Sequence, residues 1–340
     1  MNVRTARWRR LWFRLFAVAT LAAAAPGASG ETWLRPETES LARSRPDLRA
    51  LVVARGACVV FEYDREGIGP QTRSPVYSVA KSVLSILVGI AIDQGLMRLD
   101  EKLADLVPEL LDPDVNPIAR DMTIRDLLTM TAGFEAAPTS PPAASLRAML
   151  EQPLTSAPGD RFAYNGVAAA LLSAALSRAI KQDAQSFARR RLFDPLGVQN
   201  YSWLSEADGR LYGESNLFLT ARDMAKIGLL YLQGGRWGGR RIVSEAFVAQ
   251  STSRRSAGGA PLGAAYGYLW WVGKTRGGLD AFFAAGSGGQ LIYVVPALDL
   301  VVAVAAEAGE DYNLGLVSDV ALPLATGAPA PPSCVARLAP

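Results

Sequence analysis

The 340 residues are half apolar and one-fifth charged, enough material for one large globular unit or two modest ones around a buried core. The formal charge of +3 overstates the basicity, because Arg4, Arg7, Arg9, Arg10 and Arg14 crowd the first fourteen residues and the rest of the chain sets 30 basic residues against 32 acidic ones. That balance offers no basic face to a nucleic acid, and two cysteines with no histidine supply no zinc or haem ligand set, so neither partner nor cofactor of those kinds is expected.

Residues 1–30 read as a secretory signal peptide: a basic start, an apolar run from Leu15 to Ala25, and small residues from Ala28 to Gly30 where a peptidase can cut. Arg9-Arg10 ahead of Leu11-Trp12-Phe13 carries a faint twin-arginine signal. An uncleaved anchor is the alternative, but the run falls short of the ~20 residues a spanning helix needs. No later segment reaches that length without charge, so the mature chain is expected to be exported, periplasmic or secreted, without a membrane span.

Two β-branched runs, 50–54 and 57–63, flank Arg55-Gly56, and two more, 291–295 and 300–306, flank a Pro-Ala-Leu-Asp turn. Isolated hairpins are marginal. Both are therefore expected in one antiparallel sheet built from the two chain ends (about 45–75 and 260–320), with the middle inserted between them. That middle reads as helical: 78–95 begins at Ser78 and ends at Gly95, and helical periodicity recurs at 123–131, 167–182, 184–192, 220–233 and 244–250. The Pro-rich stretch from Glu135 to Ala144 suits a loop at a cleft rim. The expected class is α/β of the α+β type: an antiparallel sheet flanked by helices over residues 31–325, with a helical subdomain and a cleft between. The Ala/Pro-rich residues 326–340 are expected to be a flexible tail, which Cys58 and Cys334 would tie to an early strand if they pair in an oxidising compartment.

The missing histidine removes every Ser-His-Asp and Cys-His arrangement, so a nucleophilic serine would need a lysine or a tyrosinate to take its proton. Lysine occurs five times against thirty arginines. A buried lysine can lose its proton when desolvated, whereas a guanidinium cannot. Only Lys81 has a serine three residues before it, Ser78. That spacing puts both on one helical face, and a serine at the helix start has an N–H free to face a developing oxyanion. An N-cap serine beside a solvated lysine is the plain alternative, yet the SVLSILVGIAI that follows is too apolar for an exposed helix.

Two further segments carry chemistry. PGDRFAYNG (158–166) is a turn delivering Tyr164 ahead of a long apolar helix, and a phenol near an ammonium is expected to have a lowered pKa and to shuttle protons. Taken alone, Tyr164 reads as an ordinary core tyrosine. In AAGSGGQ (284–290), glycines ahead of a strand allow close backbone approach, and the N–H of Ser287 can complete an oxyanion hole; a plain glycine turn is the alternative. No phosphate-loop pattern follows it. Lys274-Thr275-Arg276 imitates a K-T-G triad but has arginine in the glycine position. Tyr266, Tyr268, Trp270 and Trp271 are candidates to line a substrate pocket, but strand alternation sends half of them into the core, so the group reads as structural; Asp223 suits a helix start rather than catalysis.

In this order and spacing, these elements resemble the serine β-lactamase and penicillin-binding-protein-like hydrolases, most nearly the class C-related branch with esterases and 6-aminohexanoate-dimer hydrolases. The resemblance spans roughly 45–310 and includes TIRDLLTMTAGF (123–134), RLFDPLGVQNYSW (191–203), LTARDMAKIGLLYLQGGRW (219–237), YGYLWW (266–271) and GGQLIYVVPALDLVV (288–302). It implies an acyl-enzyme on Ser78, with Lys81 and Tyr164 exchanging its proton. It also implies an oxyanion hole from the N–H groups of Ser78 and Ser287, with Gly286 ending the K-T-G-like triad. Two positions depart from the family pattern: Gly166 replaces the polar residue two after the tyrosine, and Ala284 replaces the first residue of the triad. Asn165 is the candidate to substitute for the first loss. An ester or linear amide, small or peptide-like, is the implied substrate. A β-lactamase or D-alanyl carboxypeptidase, and a catalytically silent binder of cell-wall peptides or partner proteins, remain as alternatives.

Overall fold

Apolar runs from the two ends of the chain meet in a single antiparallel sheet, and they do so because each buries a face that neither hairpin could cover alone. The computed structural model describes residues 36–108, 117–137, 145–307, 312–318 and 334–340. The signal-peptide reading of 1–30, most of the Pro-rich loop and residues 326–333 lie outside the described residues.

The sheet strands are β1 (Leu48–Arg55), β2 (Cys58–Asp64), β3 (Ser256–Gly259), β4 (Ala264–Tyr266), β5 (Trp271–Lys274), β6 (Asp280–Gly286), β7 (Gln290–Val295), β8 (Leu300–Ala306) and β9 (Ala336–Arg337). Their spatial order is β9-β2-β1-β8-β7-β6-β5-β4-β3. Strand β1 pairs with β8, Val52 opposite Ala303 and Val53 opposite Val302, which is the junction of the two chain ends expected from sequence. All seven residues of β8 are buried, so the strand reads as a continuous apolar run rather than an alternating one.

The inserted middle supplies four helices that matter for the site: α1 (Val79–Asp93), α2 (Ile124–Leu128), α3 (Gly166–Ile180) and α4 (Ala221–Leu232). Helix α4 lies across β8, β7 and β1, while α1 packs on β6, β7 and α3. Burial of α1 from Val79 to Ala91 makes it the central helix of the fold, each enclosed Val, Leu or Ile contributing roughly 1.5–3 kcal/mol. Helix α4 starts at Thr220, whose hydroxyl accepts from the Asp223 N–H, and the Asp223 carboxylate is further held by Thr220 and by Lys226 at 2.8 Å. Asp223 is thus a helix-start residue, as its position suggested.

The tail departs from expectation. Residues 334–340 are not a flexible end: β9 pairs with β2, Val335 donates its N–H to Val59 and Leu338 to Ala57, and Leu338 and Ala339 are buried. Cys58 and Cys334 form a disulfide with a Cα–Cα separation of 5.2 Å. A two-residue edge strand is too short to hold itself, so the covalent tie and the two buried side chains fix it. Cys334→Ser should cost about 2–5 kcal/mol of stability. In thermal melts the variant and the reduced parent should coincide below the oxidised parent; coincidence of all three would mean that the bond contributes nothing.

Candidate active site

The chain reaches the site through Ser74–Pro75, which pairs with Leu219 and Phe218, and through the Val76 N–H, which donates to Leu217 at 2.9 Å. Tyr77 then adopts φ 46°, a left-handed conformation that costs a non-glycine residue about 1 kcal/mol or more, and the chain turns into α1. Ser78 follows at the helix start with φ −65° and ψ −7°, and its side chain makes no capping hydrogen bond. The hydroxyl is therefore not spent on the helix.

Lys81 is one turn further on and 1 % exposed. Its Nζ donates to Ser78 Oγ at 3.0 Å and to the main-chain carbonyl of Glu214 at 3.3 Å. Burial deprives the ammonium of water and pulls its pKa down from 10.5 to about 8, with the Glu214 charge opposing part of the fall. The solvated-lysine alternative does not hold, for the reason visible in sequence: the helix is enclosed along most of its length.

Tyr164 is fixed by a short backbone ladder. The Ala163 N–H donates to Met130 O, the Ala137 N–H to Tyr164 O, and the Gly166 N–H to Ala137 O, each at 2.8–2.9 Å. Its ring centroid lies 5.1 Å from Lys81 Nζ, and its hydroxyl is hydrogen-bonded to Ser78. Behind it, Trp271 stacks at 5.3 Å between ring centroids and Tyr266 meets it edge-on at 6.1 Å. Burial raises the phenol pKa far above 10, and the Ser78 hydrogen bond only partly offsets this. The lowered pKa expected for this phenol is thus corrected: the apolar and aromatic enclosure outweighs the nearby ammonium, and Tyr164 is held neutral.

Strand β6 ends against the start of α1. A Cβ built on Gly286 would lie 2.3 Å from Val76 O and 3.1 Å from Ser78 N, so only glycine allows this approach. Ser287 follows directly after the strand and is exposed. Gly286→Ala must push strand and helix apart; an ester assay should show at least about a 100-fold loss, the scale of removing one oxyanion donor, and parental turnover would mean the approach has no catalytic part.

Ser78, Lys81, Tyr164 and Gly286 thus come together from three separate stretches of sequence. Asn165 does not join them. It caps α3, its Oδ1 accepting from Ala168 N at 3.2 Å and its Nδ2 donating to Glu135 O, and it is buried there. Ala284 is buried in β6 opposite Ile292, and Gly166 begins α3, so neither contributes a polar group. Lys274 pairs with Asp280 across the β5–β6 hairpin, and Thr275 bonds to Leu279 N in the same turn, as befits a decoy. Tyr268 and Trp270 are buried away from Tyr164, Trp270 stacking on Tyr231 at 4.5 Å between centroids. Two contributors carried no sequence signal: Glu214 lies 133 residues beyond Lys81, and the Tyr77 conformation has no compositional mark.

The β-lactamase family model matches residues 26–313. The chain belongs to the beta-lactamase family. A 6-aminohexanoate-dimer hydrolase from Paenarthrobacter ureafaciens is 26 % identical over 307 residues, covering 78 % of this chain and 76 % of the relative. Among solved structures, a penicillin-binding protein homologue from Caulobacter crescentus superposes with a TM-score of 0.69 at 17 % identity, over 85 % of this chain and 96 % of its own. A D-stereospecific amidohydrolase from a Streptomyces species gives 0.66 at 14 % identity, over 83 % and 96 % of the two chains. These structures share the family fold, and this member of the beta-lactamase family is a serine hydrolase.

Proposed function

We propose that the protein hydrolyses an ester or linear amide through an acyl-enzyme on Ser78. One observation carries this reading: the buried Lys81 amine, its pKa pulled down to about 8, lies 3.0 Å from Ser78 Oγ. Near neutral pH such an amine is partly unprotonated, so it can accept the proton as Oγ attacks. The Oγ–H bond breaks, an O–C bond forms at the substrate carbonyl, and the carbonyl π pair moves to oxygen, opposite the N–H groups of Ser78 and Ser287. Tyr164, neutral and hydrogen-bonded to Ser78, passes a proton to the leaving oxygen or nitrogen. As the bond from the carbonyl carbon to that leaving atom breaks, the Lys81 ammonium returns a proton to Tyr164, and the amine so freed takes a proton from the water that attacks the acyl carbonyl and releases Ser78.

The substrate class follows from what the site lacks. Ala284 and Gly166 put no cation or amide where a β-lactam or D-alanyl carboxylate would be held, and Asn165 is committed to its helix. An ester or linear amide needs the oxyanion hole and the nucleophile and little else. The kinship with a 6-aminohexanoate-dimer hydrolase supports the linear-amide arm. Export fits the same reading, since the Cys58–Cys334 bond suits an oxidising compartment and residues 1–30 suit a cleaved signal. Assays of p-nitrophenyl esters, short linear amides and nitrocefin on the purified chain test the choice. Nitrocefin turnover exceeding that of every ester and amide would replace it with the β-lactamase reading, and no turnover with no labelling would leave a silent binder.

A further inference from the structure

Besides Ser78, Lys81 touches a buried acid, Glu214. Glu214 is 6 % exposed, its main-chain carbonyl accepts a hydrogen bond from Lys81 Nζ at 3.3 Å, and its charge is felt at the ammonium. Its place is fixed from both sides. A Cβ on the preceding Gly213 would sit 2.5 Å from Ala169 O of α3 and 2.9 Å from a Leu84 methyl of α1, so the segment is wedged between the helix bearing Lys81 and the helix that follows Tyr164. A carboxylate costs several kcal/mol to enclose, and a carbonyl ligand alone needs no acidic side chain: any residue at 214 would supply one. The choice of glutamate calls for a separate reason.

We propose that Glu214 is the positioning residue of the Ser78–Lys81 pair, its buried carboxylate stabilising the ammonium that forms when Lys81 takes the Ser78 proton. The inference rests on the acyl-enzyme reading above. It assigns no new bond change: the proton still moves from Oγ to the Lys81 lone pair, and Glu214 acts only through the field it places on the product ammonium. Among the described residues, the titratable groups around the pair include Tyr164, Tyr266 and Tyr312 acting on Tyr164, and Tyr212 beside Glu214. The phenols of Tyr164 and Tyr212 are raised, so neither brings a charge to the pair between pH 5 and 9. The carboxylate therefore sets the basicity of Lys81 against the opposing effect of burial.

Glu214→Gln keeps the shape and the carbonyl but removes the charge. Lys81 then becomes a weaker base that is unprotonated at lower pH. Fluorophosphonate acylation of Ser78, followed by mass spectrometry from pH 5 to 10, should show the acid limb displaced downward by at least about half a pH unit and a plateau a fewfold lower. The variant then gains on the parent at low pH and loses at high pH. A merely structural loss lowers the rate equally at every pH, and an unmoved limb in a folded variant overturns the proposal. Glu214→Ala repeats the measurement without the amide, and a chain that folds with neither side chain assigns Glu214 to stability alone, which also overturns it. If the parent itself is not acylated at any pH, the acyl-enzyme reading falls and this inference with it; if it is acylated and the limb stays put, only the inference falls.

Discussion

Ser78→Ala abolishes labelling by fluorophosphonates and boronic acids and lowers ester or amide turnover by at least about a thousandfold. Removing the nucleophile of a serine hydrolase costs on the order of 10⁶ in kcat, and the residue that survives comes from the oxyanion hole and binding. Two features of this chain sharpen the expectation. The Ser78 side chain does not cap α1, so its loss removes no helix-end hydrogen bond. The strand end at Gly286 and the Ser78 backbone N–H are untouched, so the oxyanion hole persists and a small background is expected. Circular dichroism and melting temperature should be close to the parent while labelling falls to zero. A folded Ser78→Ala protein that is still labelled would place the nucleophile elsewhere.

The second large effect concerns Lys81 and pH. With the amine lowered to about 8, the base is protonated and unable to accept below that value, and free above it. The sign is therefore a rate that rises with pH through about 8 and then levels. At pH 6, two units lower, roughly one Lys81 in a hundred is unprotonated, so acylation should run about 100-fold below the plateau. Lys81→Arg keeps the positive charge but cannot deprotonate, and Lys81→Met keeps the length and the burial but has no base. Both should lose about 10³-fold or more at every pH, since lost general-base catalysis is worth roughly 10²–10⁴. Stopped-flow acylation with an activated ester checks both statements. A profile flat from pH 6 to 9 with Ser78 still acylated would show that another group takes the proton. Tyr164 is a poor candidate for that part, because its phenol is raised rather than lowered.

Much of this site is written in local patterns. The Ser78–Lys81 spacing, the apolar run behind it and the missing histidine together single out Ser78, with a lysine base, as the candidate nucleophile, because a helix turn fixes which residues share a face and an apolar helix must be enclosed. The hairpins at 50–63 and 291–306 likewise announce a sheet, and their apolar faces announce that the chain ends meet. Asn165 shows the limit of such reading. A polar residue next to the tyrosine motif is placed by sequence within reach of the substrate, yet at that position the Ala168 N–H in the first turn of α3 claims its oxygen and the Glu135 carbonyl its nitrogen. The Tyr164 phenol shows another. Proximity to an ammonium was legible, but the enclosure by Trp271 and Tyr266, more than a hundred residues away, was not.

The sequence by itself thus determined the fold class, the proposed nucleophile with the kind of base it would use, and the glycine that ends β6, since each follows from composition or from neighbours along the chain. Only the tertiary structure decided the protonation states, the fixing of the tail through Cys58–Cys334 and β9, the commitment of Asn165 to its helix, and the placement of Glu214 beside Lys81. The physical reason is common to all four. Desolvation, covalent closure and charge–charge contact depend on which atoms surround a group in space, and in this fold those atoms come from segments far apart in the chain.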